Sequence, residues 1–318
     1  MSTSGSYSFT VNRDQIIRQA MLNIGKLDES ETPNAQEVSD VAFTLNLLIK
    51  QWQGRGDFAP GLKVWTRRRG HLFLNNTTGQ YSVGPTATGW TETYVYPTIT
   101  ATAAAAATSI YVTSATGIVA GYKIGIQLSS GALFWTTVSS VVSLRVNLAA
   151  GLPSQALIGA QVFCYQTTAQ QPVVIETALL RDNQANDTPL KLMTVQDYDN
   201  LPTKATPLNI GDPTAIYYEF QIGNSYLYTD VGASQDVTKH IVLTYMEAVQ
   251  DILQGSDNFE YPQEWFLALA WGLSSEICPM FNATWTPKME DNFKRSLIIA
   301  QRKDPERVSI YFQPGAED

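Results

Sequence analysis

Apolar residues recur along this chain at two different periods, and the switch between them marks its organisation. After Asn12, a short polar residue suited to an N-cap, come Ile16, Ile17, Ala20, Met21 and Ile24 at helical spacing, and Gly25 marks the stop. A second helix is predicted from about Asn34 to Gln53. Its stripe is Val38, Val41, Leu45, Leu48, Ile49 and Trp52, and Gly54-Arg55-Gly56 ends it. The pair predicts an αα-hairpin. The period then changes to two. Val64 to Arg69, Leu72 to Leu74 and Gln80 to Val83 read as short strands, broken by Gly70 and by Asn75-Asn76-Thr77-Thr78-Gly79.

From about Ala87 to Thr168 the chain is rich in Ala, Thr, Ser and Val, and its charges are Glu92, Lys123 and Arg145. Alternation is clear in Ile110/Val112, Ile124/Ile126/Leu128, Leu133/Trp135 and Val142/Leu144/Val146/Leu148. Turn signals fall at Gly117, Gly121, Ser129-Ser130-Gly131 and Gly151-Leu152-Pro153. This stretch predicts a small all-β sandwich or barrel. The run Ala103 to Ala107 has helical propensity but sits among Thr-rich strand formers, so a loop or strand edge competes with a helix.

After Gln170 the earlier character returns. Pro172 to Ile175 reads as a strand, Tyr217 to Ile222 and Tyr226 to Thr229 as a hairpin across Gly223-Asn224, and Ile241 to Met246 as another strand. Two helices close the chain. One starts at Pro262 and carries Phe266, Leu269, Ala270, Leu273 and Ile277 as far as Cys278-Pro279; the other starts at Thr286-Pro287 and carries Met289, Phe293, Leu297 and Ala300. The expected fold class is therefore α+β: a helical frame with short strands (1–86 and 169–318), interrupted by an inserted all-β domain (87–168).

Composition narrows the function classes. Hydrophobic residues make up 44% and charged ones only 16% of the 318 residues, which supports a packed core and argues against disorder. A net charge of -8 argues against a surface that coats nucleic acid, although an acidic wall can border DNA without binding it. The two cysteines, Cys164 and Cys278, suit a reducing cytoplasm. No run of eighteen apolar residues predicts a membrane span, and the polar opening residues predict no signal peptide.

Catalytic constellations find little support. His71 and His240 each lack a second His or Cys at ligand spacing, so no metal site and no cofactor is expected. Gly117, Gly121 and Gly125 lack the Lys-Ser/Thr of a phosphate loop and read as turns. Glu260 with Glu264, or Asp251 with Asp257, are candidate carboxylate pairs for sugar hydrolysis, but carboxylates near helix starts are commonly solvated caps. Two features suggest interaction instead. Arg67-Arg68-Arg69 is a candidate contact for DNA phosphate or for an acidic partner. Near the C-terminus, Ser309, Ile310, Tyr311, Phe312, Gln313 and Pro314 form an apolar segment suited to insertion into another subunit.

The order of these elements resembles a known family. The helix Asp14-Gln15-Ile16-Ile17-Arg18-Gln19-Ala20-Met21, the helix end Leu47-Leu48-Ile49-Lys50-Gln51-Trp52 and the hairpin His71-Leu72-Phe73-Leu74 through Gln80-Tyr81-Ser82-Val83-Gly84 are similar to the opening of phage head-to-tail adaptor, or packaged-DNA stabilisation, proteins. Asp197-Tyr198-Asp199-Asn200-Leu201-Pro202-Thr203-Lys204, Gly211-Asp212-Pro213 and Tyr261-Pro262-Gln263-Glu264-Trp265-Phe266 resemble their central and closing segments. The resemblance spans roughly residues 10 to 85 and 170 to 313.

What the resemblance implies is a structural subunit and not an enzyme: a connector ring, usually of twelve copies, in the virion neck. Such a ring docks on the portal protein, extends the channel for double-stranded DNA, retains the genome and presents a platform to tail nozzle, fibre or spike proteins. It implies that Ser309 to Pro314 contact the portal. The alternatives are a tail-associated module that binds host glycans, with Trp90, Trp135 and Tyr111 as stacking candidates, and a cell-wall hydrolase using Glu260 and Glu264.

Overall fold

The structure is a computed structural model that describes residues 9–56, 59–60, 64–204, 209–234 and 236–302. It combines helices with two large sheets in two compact units, one of residues 9–66 and 248–302 and one of Arg67–Glu247.

The first unit is helical. Helix α1 (Arg13–Asn23) and helix α2 (Ala35–Trp52) each begin with a capping box, Asn12 with Gln15 and Asn34 with Glu37. Helix α3 (Val195–Asp199) belongs to the other unit. Helix α4 (Trp265–Ile277) starts three residues after Pro262, whose carbonyl accepts the first helical N–H at Trp265. It packs against α1, against α2 and against helix α5 (Pro287–Arg302), and so buries residues all round, from Trp265 and Phe266 to Leu273 and Ile277. Gly272 lets α2 approach closely: a Cβ there would stand 2.6 Å from Trp52 Cζ2. Ser274 ties α4 to α1, because its buried hydroxyl donates to Ala270 O (2.7 Å), lies 3.2 Å from Ala20 O and accepts from Asn23 Nδ2.

The second unit holds thirteen strands in its two large sheets. They are β1 (Arg67–Phe73), β2 (Gln80–Val83), β3 (Trp90–Thr91), β4 (Ser109–Tyr111), β5 (Lys123–Gln127), β6 (Leu133–Val142) and β7 (Arg145–Leu148). The chain continues through β8 (Val162–Tyr165), β9 (Pro172–Arg181), β10 (Asp187–Met193), β11 (Ala215–Glu219), β12 (Ser225–Thr229) and β13 (His240–Glu247). One sheet has the order β2-β12-β11-β10-β9-β13-β1-β3, antiparallel except for the β10–β11 pair. Strands β1 and β2 are sequence neighbours yet lie near opposite ends of it. Laid flat, six strand spacings would separate them by about 29 Å. The link from Phe73 to Gln80 reaches at most about 25 Å even when extended, and it contains a turn at Thr77. The sheet must therefore curl almost to closure. Its interior holds Leu72, Val83, Trp90, Ile216, Leu227, Ile241, Leu243 and Tyr245, drawn from alternate positions.

The other sheet, β8-β5-β6-β7-β4, closes as well. The segment before β4 bridges β8 on one side (Val95 with Cys164, Thr98 with Gln161) and the end of β4 on the other (Ile99 with Val112). The result is a small barrel around Ile99, Ile110, Ile124, Ile126, Val146 and Val162. Ala103 to Ala107 is not helical: Ala103 bridges Ala156 and Ala106 turns at φ 64°.

Two expectations need correcting. Gly70 does not break a strand but lies in the middle of β1, opposite Leu243. Val64–Thr66 is a 3-10 turn and not the start of that strand. The main division of the chain lies at Thr66/Arg67 and Glu247/Ala248, so the small barrel belongs to the second unit. The reason is that β1 and β13 pair over seven residues and so draw the chain on both sides of the barrel into one unit.

Lys123 clasps both ends of the segment that forms the barrel. Its Nζ donates to Ala87 O (3.0 Å) and Thr168 Oγ1 (2.9 Å), and burial holds its pKa below the usual lysine value. Lys123→Met leaves both acceptors unmatched and is expected to lower stability by about 1–3 kcal/mol, read from the urea midpoint. An unchanged midpoint would show that the clasp is idle.

Candidate functional site

Alternation on β1 separates the three arginines. Arg67 meets Glu176 of β9 through two contacts (Nη2 to Oε1 3.0 Å, Nε to Oε2 2.6 Å), and Arg68 Nε lies 2.8 Å from Glu247 Oε1. A carboxylate on each guanidinium cancels most of the charge that a phosphate would feel. Arg69 is exposed beside Thr244 and makes no ion pair among the described residues. The charge cluster is thus sheet reinforcement at two positions and a free cation at the third.

The segment Ser309 to Pro314 lies outside the described residues. Of the candidate carboxylates, Asp251 pairs with Lys50 Nζ (2.6 Å) and Asp257 accepts from Leu253 N and Gln254 N, so both serve the local backbone and α2. Glu260 is exposed. Trp90 is fully buried, with Nε1 donating to Gln170 O (3.0 Å), and has no face to offer a ligand. Trp135 packs on Phe73 and Tyr165, while Tyr111 is 48% exposed.

The structure assembles a site that sequence spacing did not show. His71 and His240 are the chain's two histidines, 169 positions apart, and the antiparallel register of β1 with β13 brings them together on the outer face of the curled sheet. His71 Nδ1 lies 3.1 Å from His240 Nε2, and Tyr94 Oη lies 3.3 Å from the same nitrogen. Burial pushes both imidazoles down to about 4; His240 and then Arg181 add to the effect on His71, while the Thr238 backbone opposes it at His240. Both rings are therefore neutral at pH 7, and one donates to the other. His240 is 4% exposed, with the Thr238 backbone beside its ring. Phe73 and Tyr94 pack on the pair, and Phe163 packs on both of them.

Beside His240 opens a recess of about 170 Å³, walled by Tyr94, Tyr96, Gln161 and Phe163 on one side and by Arg181 and Asp182 on the other. Arg181 is held by both oxygens of Asp187 at 2.7 Å, which lowers the pKa of that carboxyl. Among the described residues no three His, Cys, Asp or Glu side chains gather as a metal cluster would.

The helical unit carries a different feature. Phe43 (68% exposed) and Leu47 (54%) stand one turn apart on α2, with Ile298 and Ile299 on α5 and Leu267 on α4 also exposed. A groove of about 630 Å³ between α1 and α4 is floored by Ile16, Phe266 and Ala270 and edged by Phe9, Gln19 and Leu267. No described helix is long and apolar enough to cross a membrane.

Comparison with known proteins yields little. No family model matches the chain. No curated protein matches it either. Among solved structures it is similar to the Gp54 tailspike of Acinetobacter baumannii bacteriophage AP22 in complex with A. baumannii capsular saccharide. That likeness is 13% identical over 24% of this chain, with a TM-score of 0.21. The chain spans 15% of the tailspike's length.

Proposed function

We propose that this chain is the subunit of a head-to-tail adaptor ring of a short-tailed bacteriophage. It sits in the virion neck, beneath the portal and above the tail. The carrying observation is the exposed apolar surface of the helical unit: Phe43 and Leu47 on α2, the α1/α4 groove, and Ile298 with Ile299 on α5. A ring closed by head-to-tail contacts needs two different, complementary patches on each subunit, and large exposed apolar patches mark such interfaces. The ordered resemblance of the flanking segments to the adaptor family gives the ring its place and its expected twelve copies.

In this reading the subunit does mechanical and electrostatic work and no bond chemistry. The net charge of -8 lets double-stranded DNA pass along the channel without sticking, and Arg69 is the cation left for a phosphate or an acidic neighbour. The segment Ser309 to Pro314 reaches the portal, and the outer β surfaces face tail nozzle, fibre or spike proteins.

The test is to mix the purified chain with portal rings of the same phage and image the product. Twelve-fold rings capping the portal are expected. Phe43→Asp lies on the surface and should change stability by less than about 0.5 kcal/mol, yet it should abolish ring growth. Removal of residues 308–318 should leave the circular dichroism unchanged and prevent docking. If truncated protein still decorates portals, the C-terminal contact is wrong; if the intact chain never does, the adaptor assignment is wrong.

A further inference from the structure

We infer that the recess beside His240 is a binding site for one neutral pyranose residue of a saccharide. The proposal does not depend on the ring. Tyr94 and Tyr96 sit two positions apart on an extended segment and so share a face, with ring centroids 5.7 Å apart. Tyr96 is 63% exposed and so can offer a ring face to a ligand in the recess. With Phe163 behind them, these rings offer the recess apolar faces. A pyranose carries an apolar C–H face and a rim of hydroxyls, so it needs both such faces and nearby neutral hydrogen-bonding groups.

Those groups are present and uncommitted. Among the described residues, the side-chain amides of Gln161 and Asn183 line the recess and make no hydrogen bond. Each amide offers both a donor and an acceptor to a ligand hydroxyl. At about 170 Å³ the recess has room for a small ligand such as one sugar ring.

Charge decides against an anionic ligand. Arg181 is the recess's cation, and Asp187 already holds it bidentately. The Asp182 carboxylate is used up in its own turn, accepting from Gln184 N, Asn186 N and Asn186 Nδ2. A nucleotide fits worse than a sugar. Its base prefers parallel aromatic faces, whereas Tyr94 and Tyr96 are inclined by 46°, and its phosphate would meet no unpaired cation in the recess.

Saturation-transfer NMR on the full chain tests this, with the methyl pyranosides of glucose, galactose, mannose and N-acetylglucosamine as probes and cytidine monophosphate as the contrasting one. At least one pyranoside should receive saturation at millimolar concentration. Tyr96→Ala should weaken its binding five-fold or more with no change in melting temperature, since that ring is mostly exposed. Gln161→Leu should weaken it as well. The site is refuted by transfer to none of the four sugars, by transfer that survives Tyr96→Ala, or by transfer to the nucleotide alone.

Discussion

Trp90→Ala is expected to destabilise the protein by about 3–5 kcal/mol, the largest loss of any single substitution proposed here. The indole is fully buried inside the curled sheet, packs on Tyr245 at 5.4 Å and donates to Gln170 O. Removing it leaves a cavity and an unmatched carbonyl together. The same side chain explains Gly70. A Cβ at that position would stand 2.1 Å from Trp90 Cη2, well inside contact distance. Gly70→Ala should therefore cost about 1–3 kcal/mol in the native chain by overpacking. In the Trp90→Ala background the space is empty, and the second substitution should be nearly neutral. A double-mutant cycle by urea denaturation should then give a coupling of about 1–3 kcal/mol. Additive losses would show that the strand tolerates a side chain at residue 70 by some other movement.

Acid should weaken this protein through its histidines. Above pH 6.5 the rings are neutral in both folded and unfolded chains, so they contribute nothing to the pH dependence. Between pH 6.5 and about 4 the unfolded chain binds protons that the folded one refuses, and stability falls as pH falls. Below about 4 the folded rings take up protons too, and the loss levels off. For one ring the drop from 6.5 to about 4 is worth on the order of 3 kcal/mol. The two rings touch, so their joint effect is less than twice that. His240→Phe keeps an aromatic among Phe73, Tyr94 and Phe163 and removes one titrating group. The variant should lose less stability than the native chain between pH 7 and pH 4. Equal losses in the two proteins would exonerate the pair.

The contrast between these sites shows what a linear reading captures. The helix start at Asn12 is legible because an N-cap is local chemistry, whereas the capping boxes with Gln15 and Glu37 appear only in the structure. The alternation of Ile124 and Ile126, like that of Val146 and Leu148, identified barrel strands for the same reason. Gly70 was misread because its role depends on an indole twenty positions away. The strand Asp187–Met193 escaped notice because its residues are mostly exposed and polar, and it is held by β9 on one side and by a parallel partner on the other. The histidine pair was invisible for a related reason. Neither residue carries a local sign of the other, and only the β1–β13 register sets them 3.1 Å apart. Trp90 has the residue type of a binding platform but is buried, whereas Tyr96, inconspicuous in a Tyr-rich chain, reaches the surface.

The β1–β13 pair also dictates the timetable of synthesis. His71 waits for Val242, about 170 residues later, which take roughly ten to thirty-five seconds to emerge at about 5–20 residues per second. The core and the strand pairs of the small barrel lie between about residues 95 and 165, so it can close on the nascent chain well before that. The eight-stranded sheet is completed only when β13 arrives, and α1 and α2 stay without their central partner until α4 follows. Helices α1 and α2 are thus buried late, and the barrel can mature while the strands and helices after it are still being translated.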